Sequence, residues 1–145
     1  MTELRNRRRG RRGGFTLMEV MLVLVILVIL GSLSIGMFTR MQKDAQVKAA
    51  TVQVESFKTY LSAYHFNINQ YPNTSQGLQA LLTPPGDLKN PQKWTGPYIE
   101  KIPEDPWGNA YQYASPGTHR QDEYDLWSNG PDGQNGTADD IGNWQ

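Results

Sequence analysis

The feature that most constrains this sequence is an uninterrupted apolar run near its N-terminus. Twenty residues, from Val20 to Thr39, carry no charge, and every position from Val20 to Leu30 is Val, Leu, Ile or Met. As a helix, the run spans roughly 30 Å, about the thickness of the hydrocarbon core of a bilayer. The Val, Leu and Ile residues of the block favour insertion by roughly 3 to 6 kcal/mol in total. The run therefore predicts a membrane-spanning helix.

Charge is distributed unevenly on the two sides of this run. Residues 1–14 hold six Arg and one Glu, so eight of the fourteen basic and thirteen of the fourteen acidic residues remain for the rest of the chain. Only Arg40 and Lys43 follow the run closely. Because positive charge stays on the cytoplasmic side, we expect a cytoplasmic N-terminus and a C-terminal body outside. An Arg cluster can bind nucleic acid, but the apolar run that follows favours a topology signal.

Three interpretations of the run are open at this point. It can be a plain single-span anchor. It can be a cleaved secretory signal peptide, for which residues 32–34, Ser-Leu-Ser, offer a weak cleavage site, although the run is longer than the usual apolar region. The third interpretation depends on residues 13–19, which read Gly-Gly-Phe-Thr-Leu-Met-Glu and place small residues between the Arg cluster and the apolar stretch.

The segment from Gly14 to Val20 resembles the leader junction of type IV pilins and pseudopilins. The shared features are a basic leader, then Gly, Phe and Glu at fixed spacing before an apolar helix. The resemblance implies cleavage between Gly14 and Phe15 by a prepilin peptidase. It also implies N-methylation of the new amine on Phe15.

Glu19 lies at the edge of the apolar run, where a carboxylate is expensive and needs a partner. After cleavage, the amine of Phe15 would be a cation four residues away on the same helix face. The sequence leaves open whether Glu19 pairs within its subunit, pairs with a neighbour's amine during assembly, or sits in the headgroup region. The family resemblance implies the pair between subunits.

Beyond the membrane run, apolar residues recur at alternating spacings of three and four, the pattern of one buried helix face. The members of this apolar stripe are Val47, Ala50, Val54, Phe57, Leu61, Tyr64 and Ile68. We predict a single helix over about residues 15–67, stopped by Asn69 and Pro72. It would be roughly 80 Å long, too long for the rest of the chain to cover. Its N-terminal half must therefore contact lipid and then sister helices; a membrane-anchored coiled coil is the alternative.

The residues after Tyr71 carry the turn signals of a small globular body. Thr74 or Ser75 can cap a short helix that ends at Leu82. Residues 84–97 contain four Pro and are typical of a loop.

Alternating aromatic residues bounded by turns predict two antiparallel strands, over residues 110–113 and 124–128. A first strand near residues 99–102 would complete a small meander packed on the apolar stripe. The predicted fold class is α+β, with a long N-terminal helix whose first half is membranous and whose second half is amphipathic.

Motifs in this body sharpen the family resemblance. They resemble the major pseudopilin of type II secretion systems, from Gly14 nearly to Gln145. The matching segments are Tyr71-Pro72, Gln76-Gly77-Leu78-Gln79-Ala80-Leu81, Lys101-Ile102-Pro103, Asp105-Pro106-Trp107-Gly108-Asn109, Ser128-Asn129-Gly130-Pro131-Asp132-Gly133 and Ala138-Asp139-Asp140-Ile141. The implied organisation is a cleaved leader (1–14), a transmembrane and assembly half of the helix (15–39) and a periplasmic domain (40–145).

Residues 129–142, the carboxylate loop, are rich in Gly and Asp. Asp132, Asp139 and Asp140 must lie close together if the loop folds back on itself, and three carboxylates repel one another unless a cation joins them. A hard cation such as Ca²⁺ takes about six to eight oxygen ligands. The regular spacing of an EF-hand is missing. The residues alone are compatible with a solvated loop or with a metal site.

The pseudopilin resemblance implies that this loop binds Ca²⁺. Carried onto this chain, the ligands are side chains of Asp132, Asp139 and Asp140, helped by backbone oxygens of Asn129 and Gln134. The chain has no Cys, so it cannot form the C-terminal disulfide that type IV pilins usually carry. Ca²⁺ would take over that closing role, and we predict that chelation destabilises the body and prevents stable assembly.

An enzyme is the competing functional class. The two His, His65 and His119, are expected to be structural or exposed, and no Gly-x-Ser-x-Gly, His-Glu-x-x-His or phosphate-binding loop occurs. Four Trp can indicate carbohydrate binding, but in a small domain they favour core positions. We therefore predict a non-enzymatic protein.

The resemblance implies a subunit anchored in the bacterial inner membrane, with its N-terminus in the cytoplasm and its body in the periplasm. Sister subunits would polymerise into a periplasmic filament that drives folded proteins across the outer membrane. The implied partners are minor pseudopilins, an inner-membrane assembly platform, the prepilin peptidase and the membrane, with no nucleic acid. A type IV pilin or a minor pseudopilin is the alternative.

Overall fold

The computed structural model describes residues 14–145, apart from the side chains of residues 33–35. The main elements are a helix, α1 (Leu17–Ile68), and three strands, β1 (Gln112–Ala114), β2 (Asp125–Ser128) and β3 (Ile141–Gly142). Short 3₁₀ helices occur at Gly77–Leu81, Pro91–Lys93 and Gly130–Asp132. The chain divides into two compact units, one up to Met41 and the other from Gln42 to Gln145.

Within the described residues, the first unit contains residues 14–16 and the N-terminal half of α1, up to Met41. None of its side chains that the structure describes is buried. From Val20 to Leu30, every apolar side chain is at least 46% exposed. Among the described residues, α1 is the helix long and apolar enough to cross a bilayer. A helix that is apolar on all sides belongs inside a membrane or among other helices.

The two ends of α1 lie close to the predicted ends. The helix begins at Leu17 rather than at Phe15, and it ends at Ile68. Asn69 adopts a left-handed conformation with φ of 64°, and its N–H donates to the carbonyl of His65 at 2.7 Å. This is a common way for a helix to stop, and it confirms Asn69 as the terminating residue.

The apolar stripe forms the core of the second unit, as its spacing predicted. Ala50, Val54, Phe57, Leu61 and Tyr64 are all buried, whereas Val47, at the start of the stripe, is 41% exposed. The ring of Phe57 meets that of Tyr111 edge to face, with centroids 5.3 Å apart. Burying a large apolar side chain contributes about 1.5–3 kcal/mol, so the stripe fixes the helix on its own body.

The three strands form one antiparallel sheet in the order β1-β2-β3. Tyr113 pairs with Leu126 across the first two strands, and Ser128 pairs with Ile141 across the second and third. Leu126 is fully buried against the core. A helix packed on a small antiparallel meander confirms the predicted α+β class.

The identity of one strand was predicted wrongly. Residues 99–102 form no strand, and the ladder partner of β2 on its other side is β3, near the C-terminus. Ile99 and Ile102 instead pack their side chains against the core. Pro103 follows at once, and proline has no N–H to donate to a ladder. Pairing in this region is limited to one bridge between Glu104 and Ala110.

The short helix after Tyr71 also differs in detail. It is a 3₁₀ helix over Gly77–Leu81, without a side-chain cap. The predicted cap by Thr74 or Ser75 is wrong, because the side chain of Asn73 makes the local bonds. Its Oδ1 accepts from the N–H of Gln76 at 2.8 Å and from the hydroxyl of Ser75 at 2.6 Å.

Candidate processing and cation sites

The predicted cleavage point lies just before α1. Gly14 and Phe15 have no regular secondary structure, and both are exposed. The Phe15 side chain is 82% exposed. A peptide bond outside a helix and open to solvent can enter the site of a peptidase without local unfolding. Residues 1–13 of the predicted leader lie outside the described residues.

Thr16 caps the start of α1, a role missed in the sequence analysis. Its side-chain oxygen accepts the N–H of Glu19 at 3.2 Å, and its carbonyl accepts the N–H of Val20 at 3.3 Å. This is half of a capping box, in which Ser or Thr is followed three residues later by Glu or Gln. The Thr-x-x-Glu spacing was a usable signal.

Glu19 stands in the first turn of α1 and is exposed. A negative charge is favourable there, because the helix dipole presents its positive end. No ion pair of Glu19 is found within residues 14–145. Phe15 precedes the helix, so the expectation that Phe15 and Glu19 share a helix face is not reproduced. The carboxylate is available to a partner outside the described residues.

The carboxylate loop follows β2, folds back on itself and ends in β3, which is the condition under which its three aspartates were expected to lie close together. The pairing of Ser128 with Ile141 brings its two ends together. Between them, the 3₁₀ helix Gly130–Asp132 ends at Gly133, which is left-handed with φ of 66°. The bends come from glycines, which adopt positive φ at no steric cost.

The three aspartates of the loop have different surroundings. Asp140 is buried, with 8% exposure, whereas Asp132 and Asp139 are exposed. Oδ2 of Asp140 accepts the N–H of Gly136 at 2.8 Å, but its Oδ1 is buried without any hydrogen-bond partner. Oδ1 of Asp132 accepts the N–H of Gln134 at 2.9 Å. Asp140 is thus the one member of the three that is held inside the fold.

The structure does not gather the three carboxylates around one point. Within residues 14–145, no group of three acidic or His side chains is placed to hold a metal ion. The donor chemistry nevertheless fits a hard cation, because a buried carboxylate oxygen without a donor is costly unless a positive charge compensates it. Oδ1 of Asp140 is such an atom. Asp132 and Asp139 are exposed, so their side chains can rotate without disturbing the core.

The two predicted backbone helpers lie within the same loop. The side chain of Asn129 fixes the first part of the loop, accepting from Nε1 of Trp127 at 3.0 Å and donating to the carbonyl of Gly133 at 3.3 Å. The carbonyl of Gln134 accepts from the hydroxyl of Thr137 at 3.4 Å. Both residues help to shape the loop from which a cation would take its ligands.

A second buried carboxylate, Asp125, organises the turn before β2. It accepts the N–H groups of Thr118, His119 and Arg120 at 2.7, 2.8 and 3.1 Å. Burial alone would raise the pKa of Asp125, but the bonds from the His119 backbone and ring and from the other two N–H groups outweigh it. The pKa is lowered as a result.

The two His have structural contacts. Nδ1 of His119 lies 3.0 Å from Oδ2 of Asp125, and its exposed ring stacks on Trp144 with centroids 4.0 Å apart. The ring of His65 contacts that of Tyr71 at 4.5 Å. One of the Trp, Trp94, packs on the core and donates to the carbonyl of Ala80 at 2.9 Å.

Two protein-family models match this sequence. The model described as "Type II secretion system (T2SS), protein G" matches residues 37–144. The model described as "Prokaryotic N-terminal methylation motif" matches residues 9–35. The second match includes the junction at Gly14 and Phe15.

Individual relatives match along most of their length. The type II secretion system core protein G of Pectobacterium carotovorum subsp. carotovorum is 42% identical over 135 residues, 92% of this chain and 85% of the relative. The protein of that name from Aeromonas hydrophila is also 42% identical, over 92% of this chain and 93% of its own. The crystal structure of the major pseudopilin from the type 2 secretion system of enterohaemorrhagic Escherichia coli matches with a TM-score of 0.65 and 36% identity. That match covers 73% of this chain and 92% of the crystallised one.

Proposed function

This chain belongs to the type II secretion system protein G family, and we propose that it is the subunit that polymerises into the periplasmic filament of such a system. The growing filament drives folded proteins across the outer membrane. The relatives bear the name of the core protein G, which favours the major subunit over a type IV pilin or a minor pseudopilin. The role requires no catalytic residue.

The observation that carries this proposal is the apolar surface of the first unit. From Val20 to Leu30, the helix exposes apolar side chains on every side. Water is an unfavourable environment for such a surface. Lipid covers it while the subunit waits in the inner membrane, and sister helices cover it in the filament.

Processing precedes assembly in this proposal. The prepilin peptidase cuts between Gly14 and Phe15, and the amine of Phe15 is methylated. The Arg-rich leader keeps the N-terminus in the cytoplasm, so the unit from Gln42 onward lies in the periplasm. Minor pseudopilins and an inner-membrane platform assist extraction of the subunit from lipid.

Glu19 sets the register of neighbouring subunits. Moving an apolar helix from lipid to sister helices brings little hydrophobic gain, so packing and polar pairs must select the geometry. The exposed carboxylate of Glu19 pairs with the amine of a neighbouring Phe15. This pair forms in surroundings of low dielectric, where opposite charges attract strongly.

Intact mass and one pair of variants test the proposal. Mature protein from cells is expected to start at Phe15 with one added methyl group. Glu19→Ala is expected to insert normally and to lose filaments, measured by chemical cross-linking of neighbouring subunits in the periplasm of intact cells. Glu55→Ala is the control, because Glu55 is exposed and its ion pair with Lys58 at 3.8 Å is worth about 0.5 kcal/mol or less. Retention of the leader, or normal filaments from Glu19→Ala, contradicts the proposal.

We further propose that the carboxylate loop binds Ca²⁺. Asp132, Asp139 and Asp140 supply carboxylate oxygens, and Asn129 and Gln134 supply backbone oxygens. Bound Ca²⁺ would offset two of the three negative charges and would close the loop, in a chain that has no Cys for a disulfide. The unpartnered Oδ1 of Asp140 supports this assignment.

Chelation tests the calcium proposal. At a free Ca²⁺ concentration of about 100 times Kd, binding stabilises a fold by about 2.7 kcal/mol. For a body of this size, EDTA should therefore lower Tm by roughly 10 °C or more. Asp140→Asn should abolish this difference, whereas Asp122→Asn, an exposed residue outside the loop, should preserve it. An identical Tm with Ca²⁺ and with EDTA rules out a structural calcium site.

A further inference from the structure

We propose that Asp105 is a positioning residue for the carboxylate loop, holding the start of the loop in the conformation that binds the cation. This inference rests on the calcium proposal above. Asp105 lies in the turn before β1, outside the loop, and has only 5% exposure. A charged side chain is rarely buried unless it is fully paired, so its contacts indicate what it holds.

The carboxylate of Asp105 joins two separate segments. Its Oδ1 accepts the N–H groups of Trp107 at 3.0 Å and Asn109 at 2.8 Å, which closes its own turn. Its Oδ2 accepts the hydroxyl of Ser128 at 2.5 Å. Ser128 is fully buried and is the last residue of β2, directly before the carboxylate loop.

The charge of Asp105 determines which way the Ser128 hydroxyl points. An ionised carboxylate can only accept hydrogen bonds, so the hydroxyl must donate to it. The lone pairs of the hydroxyl then face the loop, where they accept the N–H of Gly130 at 3.1 Å. An amide at position 105 can also donate, so it would not impose this direction.

Gly130 passes the constraint across the loop. It has a φ of +66°, and a Cβ built on it would collide with the carbonyl oxygen of Asp139. The backbone at the start of the loop is therefore pressed against the backbone that carries Asp139 and, one residue later, Asp140. The chain of contacts runs from Asp105 through Ser128 and Gly130 to the predicted ligands.

Asp105 is expected to affect the affinity of the loop for the cation more than the stability of the body. Groups that orient metal ligands from outside typically change metal affinity by about 10- to 100-fold when they are mutated. We expect Asp105→Asn to raise the Kd for Ca²⁺ by about that factor, because the loop must then be ordered at the moment of binding. Ser128→Ala breaks the same contact chain and should have a similar effect.

The test is calorimetric titration of the detergent-solubilised full chain with Ca²⁺. The variants are Asp105→Asn, Ser128→Ala and their combination, with Asp122→Asn as the exposed control. Because the two residues act through the same series of contacts, the double variant should bind Ca²⁺ about as weakly as either single variant. Near-ultraviolet circular dichroism in EDTA checks that each variant is folded. If Asp105→Asn is not folded, Ser128→Ala alone tests the proposal.

The outcomes separate the two proposals. If the unmodified chain binds no Ca²⁺, the calcium proposal fails and this inference fails with it. If the unmodified chain binds Ca²⁺ and folded Asp105→Asn or Ser128→Ala binds it equally well, the positioning role is overturned while the calcium site stands. A loss of stability that is equal with Ca²⁺ and with EDTA, at unchanged Kd, also overturns it.

Discussion

The two halves of α1 are both helical, but they differ in whether their apolar side chains are exposed or buried. Up to Met41, every described side chain is exposed, and the apolar ones occur on all faces. From Gln42 onward, the apolar stripe is buried from Ala50 to Tyr64, whereas Val52 and Phe66, which lie off the stripe, are 66% and 87% exposed. Apolar content alone therefore does not make a core. The spacing of the apolar residues along the helix determines whether one face packs on the body of the same chain or all faces need lipid or other helices to cover them.

The largest difference in stability between the two halves is expected when a Phe is replaced by Ala in each of them. Phe57 is 0% exposed and Phe38 is 70% exposed, and both lie in α1. Phe57→Ala should destabilise the body by about 3–5 kcal/mol, and Phe38→Ala by about 0.5 kcal/mol or less. Urea unfolding in detergent, followed by fluorescence of the four Trp, measures both. An equal loss of unfolding free energy in both variants would show that the two halves of α1 contribute equally to the stability of the body.

A smaller effect is expected from acid, and it should be confined to the second unit. The lowered pKa of Asp125 means that its stabilisation is present above the unfolded value of 3.8 and is lost as pH falls through the still lower folded value. Asp125→Asn should cost about 1–3 kcal/mol at pH 7, with the difference shrinking below about pH 4. Stability curves from pH 7 to 2 measure this, with Asp122→Asn as the control. A difference that persists undiminished at pH 2 contradicts the assignment.

The smallest effect is expected at the start of the first half. Thr16→Ala removes the cap on Glu19 N–H and should destabilise the first turn by about 1 kcal/mol. Thr51→Ala is the matched change inside the second half, where the hydroxyl only donates back to the carbonyl of Val47 at 3.0 Å. It should be neutral or slightly stabilising, because Ala favours helix more than Thr does. Amide hydrogen exchange at residues 17–20 detects the difference, and unchanged exchange in Thr16→Ala would argue against a cap.

Local patterns made most of the helix predictable. The 3-4 spacing from Val47 to Ile68 identified the buried face, and Asn69 marked the end. β3 was missed because Ile141 and Gly142 are too few to show alternation. Its position depends on β2 and on Asn143, whose N–H donates to the carbonyl of Leu126 and whose Oδ1 accepts the N–H of Leu126, both at 3.0 Å.

The candidate sites were predictable only in part, for the same reason. The leader junction is a continuous motif, and the Asp-rich loop is visible as composition. The burial of Asp140 alone among the three aspartates is set by tertiary packing. The bond between Asp105 and Ser128 joins residues 23 positions apart, and no local pattern announces it. Contacts of this range have to be seen in three dimensions.

Two glycines of the carboxylate loop differ in the substitutions that they should tolerate. Gly130 and Gly136 both have positive φ, +66° and +83°. Gly136 faces open space, whereas Gly130 abuts the backbone of Asp139. In a saturation library, position 136 should therefore admit Asn, which tolerates left-handed backbone. Position 130 should admit no other amino acid, because a side chain there would collide with the backbone of Asp139. Of these two glycines, only Gly136 therefore leaves room for sequence variation between homologues.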